Sequence, residues 1–393
     1  MKNLETLIQE LCPDGVEFVK LGEVCEIKTG KGITQKDCSE SDKYPVYSGG
    51  KEPMGYYKEF NRNANTVTVS RVGAYAGFVN YVTEDFYLND KCFSVLPTKD
   101  KDINSKYLYY KLKALECSII NMQSGGGVPT INTKKVGSLE IPLPPIEVQT
   151  EIVRILDKFT SLEAELEAEL DCRKRQYEYY RDKLLSFDNV GGQEVEWKKI
   201  GEFCDTLSGF PFDSSKFQTS GIKLMRGKNV KRGYFDFNED DDRYWESSDG
   251  LEKYLLQDKD IIISMDGSLV GKSFAMLSKK HLPLLLVQRV ARVRAKGVNQ
   301  NYLFHNIAHR FSGYVDKKKT GGAIPHVSMK DIQNFSIPVP SLQEQERIAN
   351  ILDRFESLTT SLQSGLPAEI SARRQQYEHY RDKLLTFKRK GAA

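Results

Sequence analysis

The sequence contains no long apolar run and no closely spaced cysteine pair. None of its hydrophobic stretches approaches the roughly 18 residues that a membrane-spanning helix needs. The segment Met1 to Leu11 is acidic and amphipathic, without the uninterrupted apolar stretch of a signal peptide. The seven cysteines include no Cys-x-x-Cys pair, which argues against a zinc site and a disulfide framework. We therefore expect a cytoplasmic protein with reduced thiols and no membrane association.

Complete catalytic motifs are also missing. Asp266 to Ser273 resembles a phosphate-binding loop, but Asp266 stands where that loop needs its first glycine, which favours a simple turn. His305 and His309 have metal-ligand spacing without the glutamate of a His-Glu-x-x-His site, so we interpret them as an ordinary surface or core pair. The acidic run Glu239 to Asp242 is typical of a solvated loop. No Asn/Asp-Pro-Pro-aromatic tetrapeptide accompanies a glycine-rich cofactor loop. We expect no catalysis, metal or cofactor in this chain.

Charge is nearly balanced overall but unevenly distributed. The 393 residues include 57 Lys and Arg against 54 Asp and Glu, for a formal net charge of +3. Between Leu269 and Lys330, however, the sequence contains many basic residues and a single acidic one, Asp316. A local basic surface of this kind is typical of proteins that bind a phosphate backbone. The chain is also long enough for two or three domains.

The chain contains an internal repeat. Three segments of the first half recur in the second half with few changes, and the second copy carries four extra residues before the last of them. The paired segments are Ile141 to Pro144 with Ile337 to Pro340, Ile152 to Phe159 with Ile348 to Phe355, and Gln176 to Phe187 with Gln376 to Phe387. One scaffold has therefore been used twice.

The regions between these segments share only scattered anchors. Val69-Ser70 with Gly73 and Gly77 correspond to Ile263-Ser264 with Gly267 and Gly271, and Gly125-Gly126 with Val128-Pro129 correspond to Gly321-Gly322 with Ile324-Pro325. Leu11 to Phe18 similarly echoes Leu185 to Trp197. We expect equivalent frameworks with different surfaces, and we expect the two chain ends to meet and complete a circular pseudo-two-fold repeat.

Apolar periodicity predicts long helices in the repeated segments and short strands between them. Residues spaced by three or four indicate an amphipathic helix from about Pro145 to Phe187, and a matching second helix that Gly365 and Pro367 should kink or restart. Two such helices favour an antiparallel coiled coil. The residues predicted to line it or to bind a partner are Ile152, Phe159, Leu162, Leu166, Leu170, Tyr177, Leu184, Ile348, Phe355, Leu362, Tyr377 and Leu384.

Each variable region combines predicted strands with one helix. The strands are Thr66 to Ser70, Cys92 to Leu96, Asp260 to Ser264 and Leu284 to Val287, and the helices are Ser105 to Ser118 and Asn301 to Tyr314. Basic residues near glycines and aromatics are the candidates for DNA contact, reading bases or gripping phosphates. In the first region they are Lys51, Arg71 and Lys91, with Tyr47, Tyr56 and Tyr57 nearby, and in the second Arg226, Lys228, Lys272, Arg289 and Lys317 to Lys319.

The repeated Ile-Pro-x-Pro, Ile-Leu-Asp-Lys/Arg-Phe and Tyr-Arg-Asp-Lys-Leu-Leu segments resemble those of the specificity subunit of type I restriction-modification systems. The Leu162 to Leu170 tract is similar to the tetrapeptide spacer of the IC-like branch. The resemblance implies an α/β fold with two mixed α/β target-recognition domains separated by two long antiparallel coiled-coil helices. The domains would be residues 1–144 and 189–340, with a central conserved helix at 145–188 and a C-terminal one at 341–393.

The resemblance also implies partners. These would be double-stranded DNA, two modification subunits that bind S-adenosylmethionine and methylate adenine, and two restriction subunits that use ATP and Mg²⁺. This chain would bind none of those cofactors. Three alternatives stay open: a specificity subunit serving a methyltransferase without restriction subunits, a coiled-coil scaffold that does not bind DNA, and a nucleic-acid-stimulated NTPase, against which the substituted glycine at Asp266 argues.

Overall fold

The computed structural model describes residues 4–124, 127–187, 195–318, 326–360 and 364–391. The chain divides into two compact units, unit 1 with residues 1–167 and 369–393 and unit 2 with residues 168–368. The helices are α1 (Leu4–Leu11), α2 (Leu21–Val24), α3 (Ser105–Ala114), α4 (Glu116–Ile120), α5 (Thr133–Gly137), α6 (Ile146–Ser186), α7 (Ile200–Phe203), α8 (Gln300–Asp316), α9 (Met329–Asn334), α10 (Leu342–Thr360) and α11 (Leu366–Leu384). No described helix is long and apolar enough to cross a membrane.

The strands are short and fall into matching sets in the two units. In unit 1 they are β1 (Phe18–Lys20), β2 (Cys25–Thr29), β3 (Tyr44–Tyr47), β4 (Tyr56–Tyr57), β5 (Thr66–Ser70), β6 (Val79–Val82), β7 (Tyr87–Leu88), β8 (Cys92–Pro97) and β9 (Glu140–Pro142). In unit 2 they are β10 (Trp197–Lys199), β11 (Cys204–Ser208), β12 (Ile222–Met225), β13 (Tyr244–Trp245), β14 (Ile261–Ser264), β15 (Phe274–Met276), β16 (Leu284–Leu286), β17 (Val290–Ala295) and β18 (Ser336–Pro338).

Both units build the same three sheets from these strands. A four-stranded antiparallel sheet has the order β2-β8-β5-β6 in unit 1 and β11-β17-β14-β15 in unit 2. A three-stranded sheet has the order β4-β3-β7 or β13-β12-β16, with its second pair parallel in each case. A two-stranded sheet joins β1 to β9 or β10 to β18. The predicted internal repeat and the mixed α/β class are therefore confirmed.

The strands form because apolar and β-branched residues cluster in runs of four to six between glycine-containing turns. The strands β5 and β14 are buried along their whole length, and the helices α3 and α8 cover one face of their sheets. Val67, Val69 and Phe93 contribute to the core of unit 1, and Ile261 and Ile263 to that of unit 2. The predicted strands at Thr66 to Ser70 and Asp260 to Ser264 agree with β5 and β14 to within one residue.

A buried glutamine attaches each globular region to its long helix. Gln149, near the start of α6, is fully buried, accepts a hydrogen bond from the Asn104 backbone N–H (2.9 Å) and donates to the carbonyl of Pro144 (2.8 Å). Gln345, near the start of α10, accepts from the Asn299 N–H (2.9 Å) and donates to Pro340 (2.7 Å). Truncating either side chain would leave buried polar groups unpaired, at a cost of about 1–3 kcal/mol.

A carboxylate two turns further along makes a second attachment. Asp157 accepts hydrogen bonds from the Tyr110 hydroxyl (2.6 Å) and the Lys106 ammonium (2.9 Å), both on α3. Its counterpart Asp353 takes different partners, which are His305 and Asn301 on α8. Burial alone would raise the pKa of Asp353, but the hydrogen bonds from His305 and Asn301 outweigh it and lower that pKa. The aspartate of the Ile-Leu-Asp segment thus connects helix to globule in both units.

The long helices meet through aromatic side chains. In unit 1 the Phe159 ring lies 5.4 Å from Tyr380 and 6.5 Å from Tyr377. Further along α6 in the same unit, Glu163 and Glu167 pair with Arg374, so α6 and α11 run antiparallel there. In unit 2 the Phe355 ring lies 5.7 Å from Tyr180 and 6.4 Å from Tyr177. The same contact is therefore made twice, once in each unit.

Most apolar positions predicted for the helix seam are buried or half-buried, with one exception. Ile152 and Ile348 are buried, and Leu166, Leu170, Leu184 and Leu384 are half-buried. Leu162 is 45% exposed, because the side chain that turns toward α11 at this level is Glu163, which pairs with Arg374. Leu362 lies outside the described residues.

The second long helix is interrupted where glycine and proline predict it. Helix α10 ends at Thr360 and α11 begins at Leu366, directly after Gly365. Gly365 has φ +96°, and a Cβ there would lie 2.7 Å from the Ser357 carbonyl oxygen. Pro367 occupies the first turn of α11, where its missing N–H costs no helical hydrogen bond. The first long helix, α6, is continuous from Ile146 to Ser186, as predicted.

The two ends of the chain meet within unit 1. The Val16 N–H donates to the Lys388 carbonyl (2.8 Å), and the Lys390 N–H donates to the Val16 carbonyl (2.9 Å). Gly15 lies directly against this strand-like contact, with φ +92° and the Lys388 carbonyl oxygen 2.6 Å from where a Cβ would be. The predicted meeting of the ends is therefore confirmed. The corresponding segment ahead of unit 2, residues 188–194, lies outside the described residues.

We predict that Gly15→Ala destabilises unit 1, because an added methyl group both disfavours the positive φ and collides with the Lys388 carbonyl. Positive φ alone costs a non-glycine residue about 1–2 kcal/mol, and the collision adds to it. Gly391→Ala is the matched control, since Gly391 also has positive φ (+78°) but no atom within 4 Å of the new methyl group. Urea unfolding of both variants tests this, and equal midpoints would show that the contact between the chain ends contributes nothing.

Candidate nucleic-acid interface

A glycine-containing turn follows the central strand of each four-stranded sheet. In unit 1 the turn leaves β5 at Arg71, whose N–H donates to the Lys91 carbonyl (2.7 Å). In unit 2 it leaves β14 at Met265, whose N–H donates to the Arg289 carbonyl (3.0 Å). Lys91 and Arg289 therefore occupy equivalent positions, each directly ahead of the neighbouring strand β8 or β17. The structure brings Arg71 and Lys91 together at one end of the sheet.

The glycines of these turns are required by their surroundings. Gly77 and Gly271 have φ of +98° and +81°, and added Cβ atoms would lie 2.7 Å from Ile120 and 2.8 Å from Val315. The turn at Asp266 leads directly into strand β15, whereas a phosphate-binding loop leads into a helix. The predicted simple turn is therefore correct.

Three predicted basic residues of unit 1 surround this end of the sheet. Arg71 lines an open cavity of about 370 Å³ together with Lys135, and Lys91 lines a second one of about 760 Å³ together with Ser48. Lys51 is exposed, and its ammonium lies 5.4 Å from the centroid of the exposed Tyr75 ring. Close packing of Gly49 against Val72 positions the loop that carries Lys51. These side chains form a basic, partly aromatic surface suited to a nucleic-acid backbone.

Lys135 was not among the residues predicted from sequence. It lies on the short helix α5, which Asn132 begins by accepting a hydrogen bond from the Lys134 N–H (2.8 Å). The signal available in the sequence was a cap residue followed by two lysines, directly after the Val128-Pro129 anchor. The anchor residues Gly125-Gly126, Gly321-Gly322 and Ile324-Pro325 lie outside the described residues.

In unit 2 the corresponding surface centres on Arg289. Its side chain is 75% exposed, and its φ of +64° places it in the left-handed region that costs a non-glycine residue about 1–3 kcal/mol. Asp266 lies beneath it, with Oδ2 3.3 Å from Arg289 Nε and Oδ1 paired with His326. The carboxylate therefore orients two cationic or hydrogen-bonding side chains at the site where unit 1 has Val72 opposite Thr130.

The remaining basic candidates of unit 2 divide into two groups. Lys272, Lys317 and Lys318 are exposed, and the contact of Gly271 with Val315 brings the Lys272 turn close to the end of α8 that carries the other two. Lys319 lies outside the described residues. These lysines have the exposure that a phosphate contact needs.

Arg226 and Lys228 instead bind an acidic residue of their own domain. Both pair with Asp241, and Arg226 is largely buried, which lowers its pKa. Asp242 is buried and accepts a hydrogen bond from the Lys223 ammonium (2.7 Å). The interpretation of Glu239 to Asp242 as a solvated loop is therefore wrong at the buried Asp242, whereas the Asp241 side chain is 47% exposed. The Asp241 carboxylate pairs with both cations that we expected to face DNA, Arg226 and Lys228.

Two further arginines of the basic stretch are structural. Arg292 is buried and pairs with Asp205 (2.8 Å), and Arg294 pairs with the fully buried carboxylate of Asp260 (2.7 Å). Both bridge neighbouring strands of the four-stranded sheet or its edge. The positive charge available to a partner in this region is therefore smaller than the sequence count indicates.

The predicted aromatic neighbours contribute mainly to packing. Tyr47 contacts Phe86 edge-on (5.6 Å), and Tyr57 contacts Tyr87 (5.1 Å), which places both in the small sheet β4-β3-β7. Tyr56 is 41% exposed and stays available to a ligand. His305 and His309 have separate partners, Asp353 and Asp182, so they do not form a two-histidine site.

The family model for the type I restriction modification DNA specificity domain matches residues 13–171 and 193–372. These two matches cover most of the chain, and each includes one set of sheets with its basic turn. The chain belongs to the type I restriction-modification DNA specificity family. As such a subunit it recognises DNA and leaves catalysis to other subunits of the complex.

Individual relatives cover nearly the whole chain. The specificity subunit of the Escherichia coli type I restriction enzyme EcoR124I/EcoR124II is 33% identical over 98% of this chain and 97% of its own. A putative type I specificity subunit of Mycoplasma pneumoniae is 27% identical over 95% and 98%. Among solved structures, the S subunit from M. genitalium has a TM-score of 0.65 at 17% identity, over 94% of this chain and 96% of that one. The fold of a specificity subunit is thus shared along nearly the whole chain.

We predict that Arg71→Ala and Arg289→Ala each weaken binding of the assembled methyltransferase to its target duplex by roughly 10-fold, the range expected for a lost base or phosphate contact. Lys99→Ala and Lys296→Ala are matched controls, because these exposed lysines follow β8 and β17 at the ends opposite Lys91 and Arg289. Fluorescence anisotropy at moderate salt measures the affinities. If the arginine variants bind like the lysine controls, the turns do not contact DNA.

Proposed function

We propose that the chain recognises a bipartite DNA target, with residues 1–144 and 189–340 as two target-recognition domains that each read one half-site. The helices at 145–188 and 341–393 set the distance between the half-sites. The observation that carries this proposal is the duplicated sheet with its basic turn, in which the backbone is repeated but the exposed side chains differ. Equal frameworks with unequal surfaces are suited to reading two different sequences.

The proposed partners are double-stranded DNA, two modification subunits and two restriction subunits, assembled in the cytoplasm. S-adenosylmethionine, ATP and Mg²⁺ would be bound by those subunits, which would methylate adenine and cleave DNA. This chain shares its fold, with a TM-score of 0.55, with a chain in a solved structure that concerns complex assembly of the type I R-M system. That similarity supports a multi-subunit complex. The repeated Phe159 and Phe355 contacts support two copies of one partner, because a duplicated helix pair offers two equivalent faces.

We predict that exchanging residues 19 to 124 for the corresponding segment of a relative with another target changes one half-site and leaves the other unchanged. The exchanged segment contains the first basic turn but neither Gln149 nor Asp157. The two α6 side chains that attach the globular region to the helix are therefore retained. Methylome sequencing of cells that carry the hybrid with its modification partner identifies both half-sites. A change in both halves would contradict independent recognition, and the reciprocal exchange in unit 2 is the control.

We also predict that inserting one Glu-Ala-Glu-Leu after Leu170 preserves both half-sites and lengthens the spacer between them by one or two base pairs. Helix α6 is continuous through this tract, and four residues add about 6 Å while keeping the apolar face nearly aligned. The ion pairs of Glu163 and Glu167 with Arg374 precede the insertion. Inserting a single alanine is the control, since it rotates everything beyond it by about 100° and should abolish methylation. An unchanged spacer with full activity would show that α6 does not set the distance.

A further inference from the structure

The attachment of α8 to α10 contains a cluster of potential metal ligands. The ligand atoms of His305, Asp353 and Glu356 all lie within 4.8 Å of one another, and no other such group of three occurs among the described residues. His305 is only 1% exposed, and its Nε2 lies 2.6 Å from Asp353 Oδ1. The Asp353 side chain is 36% exposed, which gives an ion a path from solvent. This cluster serves neither the basic turns nor the aromatic contacts of the long helices.

Comparison with unit 1 shows that the cluster is specific to the second repeat. The buried tyrosines Tyr107 and Tyr302 donate to equivalent carbonyls, Pro142 and Pro338, which fixes the correspondence of α3 with α8. On that register His305 replaces Tyr110. Two attachments with the same backbone therefore differ in their chemistry.

The other replacements change the charge of the attachment. In unit 1 the Lys106 ammonium neutralises Asp157 at 2.9 Å. In unit 2 the position of Lys106 holds Asn301, which donates to Asp353 (2.6 Å), and the position of Thr160 holds Glu356. The second attachment thus loses one cation and gains one carboxylate, and the charges that lower the pKa of Asp353 come from His305 and, to a smaller extent, Lys259. Two half-buried carboxylates beside one imidazole favour an added positive charge.

The spacing suits a divalent transition-metal ion. Asp353 and Glu356 are one turn apart on α10 and His305 comes from the facing helix α8, an arrangement that helical bundles use for metal sites. Zn²⁺ binds nitrogen and oxygen ligands at about 2.0–2.2 Å, so neighbouring ligand atoms in a tetrahedral site lie roughly 3.3–3.5 Å apart. The His305 Nε2–Asp353 Oδ1 distance of 2.6 Å would have to lengthen, and the other ligand separations, which are at most 4.8 Å, would have to shorten where they exceed that spacing, by side-chain rotation.

We propose that His305, Asp353 and Glu356 bind one divalent transition-metal ion, with Zn²⁺ as the best-suited probe, and that the ion holds α8 of the second recognition domain on α10. His305 would coordinate through Nε2 with its proton on Nδ1, and a water molecule would complete the coordination on the exposed side of Asp353. The described part of unit 1 has no equivalent site, because Tyr110 and Thr160 replace the imidazole and one carboxylate.

Zn²⁺ titration of the full chain after EDTA treatment tests the proposal, with calorimetry for stoichiometry and thermal unfolding for the effect on stability. We expect one bound ion and a melting transition raised by several degrees. Glu356→Gln should weaken binding at least 10-fold without altering the shape of the side chain. Glu346→Gln, an exposed glutamate on the same helix, is the matched control and should bind like the parent chain.

The double variant His305→Tyr with Glu356→Thr gives the second attachment the tyrosine and threonine of the first and should fold without binding the ion. Co²⁺ in place of Zn²⁺ should give visible absorption bands that Glu356→Gln removes. Absence of binding by the parent chain, or binding that Glu356→Gln leaves unchanged, would overturn the proposal, since the latter result would place the ion on other histidines or cysteines. None of these three readouts requires DNA, so this test is independent of the proposed function.

Discussion

The buried amides of Gln149 and Gln345 are the interactions on which each unit depends. Each amide closes hydrogen bonds between the start of a long helix and the N-terminus of the helix that covers the sheet. Because the amide has both a donor and an acceptor in fixed positions, it determines the register of one helix against the other, which apolar packing alone would not do. The sheet, its turns and the long helix are thereby held in one orientation within each unit.

Charge pairing decides which basic residues can serve recognition. Arg226, Arg292 and Arg294 are each bound to an aspartate of their own domain, and these pairs contribute to the sheet rather than to a partner. Arg289 also contacts an aspartate, but its side chain stays mostly exposed, so Asp266 orients the guanidinium without hiding it. A partly exposed ion pair costs little to rearrange, because solvent already screens it. Such a pair can therefore exchange its carboxylate for a base or phosphate.

The repeat and the long helices were predictable because their signals are local. Helical periodicity predicts α6 to within a residue at each end, and the glycine and proline at 365 and 367 predict the break before α11. The parallel pairs β3-β7 and β12-β16 were not predicted, because each joins two short strands separated by some 40 to 60 residues of chain. No periodic pattern identifies such partners.

Side-chain roles were harder to predict than elements. Lys51, Arg71 and Lys91 lie near one another, as the pattern of basic residues beside glycines predicts. The absence of a side chain at Gly49 allows its backbone to approach that of Val72. Arg226 could not be assigned correctly, because the acid that neutralises it is 15 residues away and reaches it only through the fold. Leu162 fits the apolar spacing, yet the side chain that turns toward α11 is Glu163. It forms an ion pair with Arg374, which is 211 positions away in the sequence.

The two units show where such a scaffold can vary without losing its fold. The turn glycines at 77 and 271 are confined by Ile120 and Val315, so substitution there would displace the backbone. Two residues after the strands β5 and β14, by contrast, Val72 is bridged to Thr130 in unit 1 and Asp266 to His326 in unit 2. A neutral pair in one unit and an ion-pairing one in the other occupy the same backbone bridge. Because the bridge is made by main-chain groups, its side chains are free to change the hydrogen-bonding and charge pattern of this surface, while the turn beneath it stays the same.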